Sequence, residues 1–578
     1  IEFFDKLDIK GVLNLKFSEY SYKRPDMNVF EQEMKSLIER FENALNVDEQ
    51  DRVMEEINAL RRDFETMDNI VSVRHTINTE DSFYEEENDY MDEVRPVYEG
   101  LVNQYYKALS NTKFKEEMVD KWGQYIFDIA EVKLKTFSDE VLEDLKLENK
   151  LTSQYTKLRA SAKIMFEGQE LNLPQMEPFM EDKDRNIRKK AHEAFWKFFE
   201  ENEEKFDSIY DQMVKVRHKI AKKLGFENFV ELGYARLTRT DYDAKMAANY
   251  RKQVYEDLVP VYEKLRIRQK ERLGLDSLRY YDEGLDYLSG NATPKGNPKW
   301  IMAQGEKMYS ELSKDTKEFF DYMIDNELMD LEAKSGKAGG GYCTFIPNYK
   351  SPFIFSNFNG TSGDVDVLTH EAGHAFQVYK SRNYKLPEYV WPTLEACEIH
   401  SMSMEFFAWP WMEDFFKEDV EKYKFTHLSS SMLFIPYGVT VDEFQHWVYE
   451  NPDASPKERK DKWREIEKKY LSSKDYEDND VLNRGGFWFK QGHIFSNPFY
   501  YIDYTLAQVC AFQFWVKSIE DREKAWADYL RLCEAGGSDS FLNLVKLAGL
   551  DNPFEDGSIK KVVPKLEEYL DPVDDKKM

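Results

Sequence analysis

Two of the chain's nine histidines stand four residues apart, in Thr369-His370-Glu371-Ala372-Gly373-His374-Ala375-Phe376. Helical residues at that spacing project from one face, one turn apart. Two imidazoles so placed can share one zinc ion, with a carboxylate beside them to hold and deprotonate a water. Glu371 is that carboxylate. A catalytic zinc needs a third protein ligand and one open position. A third histidine at the HExxHxxGxxH spacing is absent, because Ala375-Phe376-Gln377 follows His374. A carboxylate is therefore expected. Downstream, Leu394-Glu395-Ala396-Cys397-Glu398-Ile399-His400-Ser401-Met402-Ser403-Met404-Glu405 puts Glu395, Glu398, Met402 and Glu405 on one helix face. Spacing alone leaves both Glu395 and Glu398 open as the ligand.

Peptide hydrolysis also benefits from donors placed at the developing oxyanion, and Tyr O–H or His N–H can supply them. Gln491-Gly492-His493 through Tyr500-Tyr501-Ile502-Asp503-Tyr504 is rich in both. By composition alone such aromatic stretches are core.

These residues need elements to hold them. Leu368, Ala372, Ala375 and Tyr379 form a packing face, and Ser362 or Asp364 can cap it, which predicts a helix from about 364 to 380. Tyr342–Ile346 and Phe353–Asn359 alternate about Pro347-Asn348-Tyr349-Lys350-Ser351, which predicts a hairpin with one apolar and one polar face. The preceding loop, Ser335–Gly341, reads as a flexible flap or hinge; it lacks the spacing of a phosphate loop. Elsewhere the period is helical, as in Val53, Ile57, Leu60, Phe64 and Met67. Phe114 to Ile129 and Phe195 to Met213 form two further stripes. Weak boundaries fall near 182–190 and 289–298, and residues 571–578 read as a frayed tail.

The chain has 578 residues, with 80 Lys+Arg against 109 Asp+Glu, a net charge of −29. Such a field repels nucleic acid and anionic membrane surfaces. No apolar run reaches the roughly 18 residues needed to span a bilayer. Four scattered cysteines imply neither a disulfide scaffold nor a thiolate zinc site, and read as reduced core thiols. Ile1-Glu2-Phe3-Phe4-Asp5-Lys6 shows no leader pattern. The expectation is a cytoplasmic protein.

Taken together, His370-Glu371-Ala372-Gly373-His374, Glu398 through Glu405, Val441 through Tyr449 and Gly492-His493 through Tyr504 resemble one family. It is the thimet oligopeptidase and oligoendopeptidase F family of zinc metallopeptidases, on its bacterial oligoendopeptidase branch. The resemblance runs from about 190 to 560. It implies one Zn²⁺ per chain held by His370, His374 and Glu398, since Glu398 and Glu405 match the family's pair of glutamates seven apart. It implies Glu371 as general base. It also implies His493, Tyr501 and Tyr504 acting on the scissile carbonyl, with Tyr500 an alternative to Tyr501 because the gap from the histidine is shorter here. The implied fold is mostly α, a two-lobed helical body with a deep central channel and a small β-sheet beside the zinc helix. The domains would be an N-terminal helical lobe (1–190) and a catalytic domain (191–578). The implied activity is endopeptidase cleavage of short unstructured peptides. Rival readings are a zinc carboxypeptidase or peptidyl-dipeptidase, and a non-catalytic peptide-binding protein with a structural metal. His and carboxylate ligands also accept Co²⁺ or Mn²⁺. Oligomeric state is not encoded in these motifs.

Overall fold

Local caps and breakers decide where the helices run. In the computed structural model, which describes residues 15–334 and 336–578, helix α1 (Val47–Ile77) starts at Asn46, whose carboxamide accepts from the Glu49 N–H at 2.9 Å. Its stripe, with Val53, Ile57 and Phe64, is buried. Residues 1–6, read above for a leader, and Ser335 of the glycine loop lie outside the described residues.

Two of the long stripes are interrupted. The 114–129 stripe spans two helices, Lys115–Trp122 and Tyr125–Leu134, because Gly123 adopts φ +84° between them. The 195–213 stripe likewise spans Arg185–Glu201 and Glu203–Lys223, broken at Asn202. The C-terminal tail is not frayed. Asp575 is buried and accepts from Arg268 at 2.8 Å and Arg272 at 2.5 Å.

The fold is mostly helical, with two small sheets among the described residues. β1 (Ile164–Phe166) and β2 (Gln169–Leu171) form an antiparallel hairpin. β3 (Met329–Glu332), β4 (Tyr342–Ile346) and β5 (Ser351–Phe358) form the other, in the order β3-β5-β4. The expected hairpin is β4–β5, antiparallel, with Tyr342 opposite Phe355 and Ile346 opposite Ser351. β5 does not have one polar face. It is central, flanked in parallel by β3, and nearly every residue of it is buried. β4 is left as an edge. The glycine loop is tied down: Ala338 N–H donates to Thr76 O at 2.8 Å, and Asn357 donates to Ala338 O and Gly340 O, both at 2.8 Å.

Helices α2 (Gly363–Ser381), α3 (Leu394–Phe407), α4 (Val420–Glu450) and α5 (Tyr501–Glu520) pack behind and beside this sheet. They share one large apolar core, which extends from Phe17 to Leu570. A separate core, built from residues between 30 and 130, holds the N-terminal helices together and meets the main body at Leu386 and Tyr389. No described helix is long and apolar enough to cross a membrane.

Candidate metal centre and active site

Helix α2 covers 363–381, close to its predicted span, but Ser362 makes no side-chain cap. Asp364 instead accepts from the N–H groups of Asn359 and Gly360, both at 2.8 Å, and so fixes the turn leading in from β5. Leu368, Ala372 and Ala375 are fully buried. Gly373 sets the distance to α3. A Cβ there would lie 2.6 Å from His400 O and 2.6 Å from Ser401 Cα. Only glycine lets the two backbones approach this closely.

That approach brings three ligand atoms together. Glu398 Oε2 lies 3.2 Å from His370 Nε2 and 3.5 Å from His374 Nε2, and the three ligand atoms fall within 4.8 Å of one another. A tetrahedral zinc with bonds of about 2.0–2.1 Å sets its donors about 3.3–3.4 Å apart. The donor set and its spacing therefore fit that ion. Glu395, the other candidate from spacing, points elsewhere: both its oxygens are buried without a hydrogen-bond partner, near Asp503 and Arg239.

The histidine orientation is held from behind. Glu405 Oε1 accepts from His370 Nδ1 at 2.7 Å, which turns the Nε2 lone pair toward Glu398. Glu405 Oε2 accepts from His427 Nε2 at 2.8 Å. The Trp409 indole donates to His427 Nδ1 at 3.2 Å. An indole N–H can only donate, so the His427 proton sits on Nε2, and the donor directions are set: Trp409 to His427, then His427 and His370 both to Glu405. Burial opposes the Glu398 charge, yet His374 and His370 hold its carboxyl well below the usual range. For Glu371 burial wins, and its carboxyl is pushed up despite His370 and His374. Glu371 Oε2 is buried and has no hydrogen-bond partner among the described residues.

The aromatic cluster faces the same centre. Tyr437 Oη lies 2.7 Å from Gln491 Oε1, and Gln491 Nε2 lies 2.8 Å from His493 Nδ1. With the amide so placed, His493 takes a donor on Nδ1 and carries its proton on Nε2, and burial favours the neutral ring by lowering its pKa. Tyr504 O–H lies 3.5 Å from that nitrogen. Tyr500 O–H donates to Glu398 Oε1 at 2.8 Å. Tyr501 makes no hydrogen bond among the described residues; its ring packs on Phe434, Tyr437 and His493. It lines a cavity of about 370 Å³ with Glu405, His493 and Tyr504. A larger cavity of about 750 Å³ shares Glu405, Phe434 and Tyr501 with it.

Residues 178–293 and 303–563 match the sequence model of Peptidase family M3, and residues 17–137 match the Peptidase M3 N-terminal domain. The chain belongs to peptidase family M3. A solved structure of PZ peptidase A with an inhibitor is 61% identical to this M3 chain, matches over 97% of this chain and 100% of that one, and superposes with a TM-score of 0.94. A Bacillus anthracis str. Ames protein provisionally assigned as an oligoendopeptidase F is 56% identical, over 98% and 99% of the two chains, with a TM-score of 0.90. An oligoendopeptidase F homolog of Borreliella burgdorferi is 25% identical over 64% of this chain. The M3 chain aligns with 63% of that relative's length.

Sequence reasoning about this M3 chain named His370, Glu371, His374, Glu398, His493, Tyr501 and Tyr504; the structure brings them to one region, with Tyr500 rather than Tyr501 hydrogen-bonded to Glu398. It passed over Gly373, His427, Trp409, Tyr437 and Gln491, which orient the others. Gly373 and Gln491 lay inside the quoted motifs. His427 and Trp409 had no motif to mark them.

Proposed function

We propose that this chain is a zinc-dependent endopeptidase that cuts internal bonds of short, unstructured peptides. The reading is carried by one observation: three donors at the spacing of a tetrahedral ion, beside a buried carboxylate with an unpartnered oxygen. His370, His374 and Glu398 would hold the ion, which supplies Lewis-acid polarisation when bound. Glu371 Oε2 is free to accept a proton from the attacking water and to return it to the leaving amine. A carboxyl raised by burial is better suited to that return than an ordinary one. His493 Nε2–H and the Tyr504 hydroxyl are donors available to the oxyanion, and the Tyr500 hydroxyl becomes one when its single proton turns from Glu398 Oε1 to the substrate. We assign Tyr500 in preference to Tyr501, because Tyr500 alone of the pair reaches a ligand carboxylate. The free edge of β4 can pair with an extended peptide, and cavities of about 370 and 750 Å³ admit a flexible segment better than a folded domain. The four unpaired cysteines suit a reducing, cytoplasmic setting.

The test is cleavage of an end-blocked, internally quenched peptide by wild type and Glu371→Gln, with bound metal measured in both. Loss of at least a hundredfold in turnover with one metal retained is expected, on the order of a general base's contribution. A variant keeping a tenth of the activity would sink the assignment. Wild type that cuts only peptides with free ends would favour the exopeptidase rival.

A further inference from the structure

A cavity of about 400 Å³ opens beside the metal centre, between α1 and the turn of the β4–β5 hairpin. Trp391 lines it, and that indole lies 6.5 Å from the His374 ring, centroid to centroid. Thr344 and Phe345 of β4 line it as well. Gly341, just before β4, lies beside Glu371: a Cβ there would lie 3.6 Å from Glu371 Oε1. Thr344 and Phe345 follow three and four positions later, about 10–13 Å away at ~3.3 Å per residue. A peptide extended along β4 would enter this cavity three or four residues from the bond next to Glu371.

Four cations and two carboxylates, Glu55 and Glu65, line the cavity; Lys385 pairs with Glu55, which leaves Arg62 from α1, Lys350 from the hairpin turn and Arg382 just past the end of α2. None has a carboxylate ion-pair partner among the described residues. Lys350 Nζ donates to the neutral Asn383 Oδ1 at 3.0 Å, and Arg62 donates to Lys385 O at 3.3 Å. Arg382 lies over the Tyr379 ring at 3.5 Å, with a buried Nη1 that has no acceptor among the described residues. Of the nearby carboxylates only Glu55 is ion-paired among the described residues, while Glu65 and Asp63 are held by neutral donors. Glu55 pairs with Lys385, Glu65 accepts from Tyr98, and Asp63 accepts from Asn348. Burial pushes the Lys350 ammonium down, and the charges acting on it, Arg382 and Arg62, push the same way. Burial also lowers Arg62, against Asp63 and Glu65.

Lys350 and Arg382 have no ion-paired carboxylate among the described residues, and Arg62 feels Asp63, Glu65 and Glu55 only without direct pairing. Holding these half-buried cations costs free energy that an arriving anion would offset. It is the more pointed in a chain of net charge −29, with acids to spare. Nor does the turn call for lysine. Lys350 sits at φ +49°, where glycine or asparagine is the easy choice.

We propose that Arg62, Lys350 and Arg382 form a subsite for a carboxylate of the bound peptide, three to four residues from the cleaved bond. The subsite rests on the peptidase reading above. The carboxylate can come from the peptide's C-terminus or from an Asp or Glu side chain, and the test separates the two.

Zinc-loaded Glu371→Gln protein is titrated by fluorescence anisotropy with a neutral, amidated eight-residue peptide. Versions carrying one Glu at each position in turn follow, and one ending in a free carboxylate. One of these acidic versions is expected to bind about tenfold tighter than the neutral parent, the scale of a charge-assisted hydrogen bond, with the gain shrinking at high salt. Its identity names the source of the carboxylate. Lys350→Asn, which the left-handed backbone tolerates, and Arg382→Gln should each erase the gain and leave the neutral peptide within twofold. No version binding more than twofold tighter, or a gain that survives both substitutions, overturns the subsite. Failure of wild type to cleave any of the peptides would overturn the endopeptidase reading instead, and the binding comparison would still decide the subsite.

Discussion

Tyr500→Phe is the sharpest probe of the proposed mechanism. The substitution keeps the ring, which packs 4.9 Å from Tyr504 and 5.7 Å from His493, and removes one hydroxyl. That hydroxyl is 2.8 Å from Oε1 of Glu398, a carboxylate only 4% exposed. A hydrogen bond to a buried charge contributes about 1.5–3 kcal/mol, or about 10- to 150-fold. If the hydroxyl served only to orient the ligand, the loss would fall on metal affinity, about 10- to 100-fold, and excess zinc would restore turnover. If it donates to the oxyanion, kcat falls about 10²- to 10³-fold at saturating zinc with little change in KM. We expect the second result. The assay is steady-state cleavage across a zinc titration, with zinc Kd measured separately by chelator competition. Tyr501→Phe is the internal control. Its hydroxyl has no partner among the described residues, so its kcat should stay within about threefold. Tyr500→Phe with kcat within threefold of wild type at saturating zinc would refute the donor role. So would an equal loss in Tyr501→Phe.

Glu405→Gln breaks the hydrogen-bonded chain behind His370 and should weaken zinc binding about 10- to 100-fold; an unchanged Kd by chelator competition would reduce Glu405 to packing. Gly373→Ala forces a Cβ against the backbone of α3 at 2.6 Å, an overpacking that costs about 1–3 kcal/mol and separates His374 from Glu398. A lowered melting temperature together with weaker zinc binding is expected, and wild-type values for both would contradict the close-approach argument. Burial, then Asp503, raise the Glu395 carboxyl above its ordinary range, so the folded protein keeps a proton there that the unfolded chain releases near pH 4.3. The stability of that neutral form is fully present below the unfolded pKa and is lost as pH rises through the folded one. Glu395→Gln cannot ionise, so its melting temperature relative to wild type should rise steadily from pH 5 to pH 9; a flat difference would exclude the buried acid as the cause.

The chemistry-bearing core of the site was written in local spacing. His370, Glu371 and His374 lie within five residues, and helix geometry alone projects the two imidazoles together. The cap expected from Ser362 or Asp364 is not made: Ser362 offers no side-chain cap, and Asp364 accepts from the N–H groups of the preceding loop. The breaks at Gly123 and Asn202 were hidden by apolar stripes that continue in register across them.

Local spacing could not rank Glu395 against Glu398, since both lie on one side of α3. The packing of α3 on α2 through Gly373 turns Glu398 to the histidines, while α5 and Arg239 take up Glu395. It could not rank Tyr500 against Tyr501 either. Adjacent helical residues differ by about 100° in direction, so the seating of α5 decides which hydroxyl reaches Glu398. The Trp409–His427–Glu405 chain and the Arg62–Lys350–Arg382 cavity join segments up to about 320 residues apart, and no period in the sequence records such neighbours. Short-range geometry follows from the backbone's few allowed conformations. Long-range geometry follows from how buried surfaces fit, which exists only once the chain has folded.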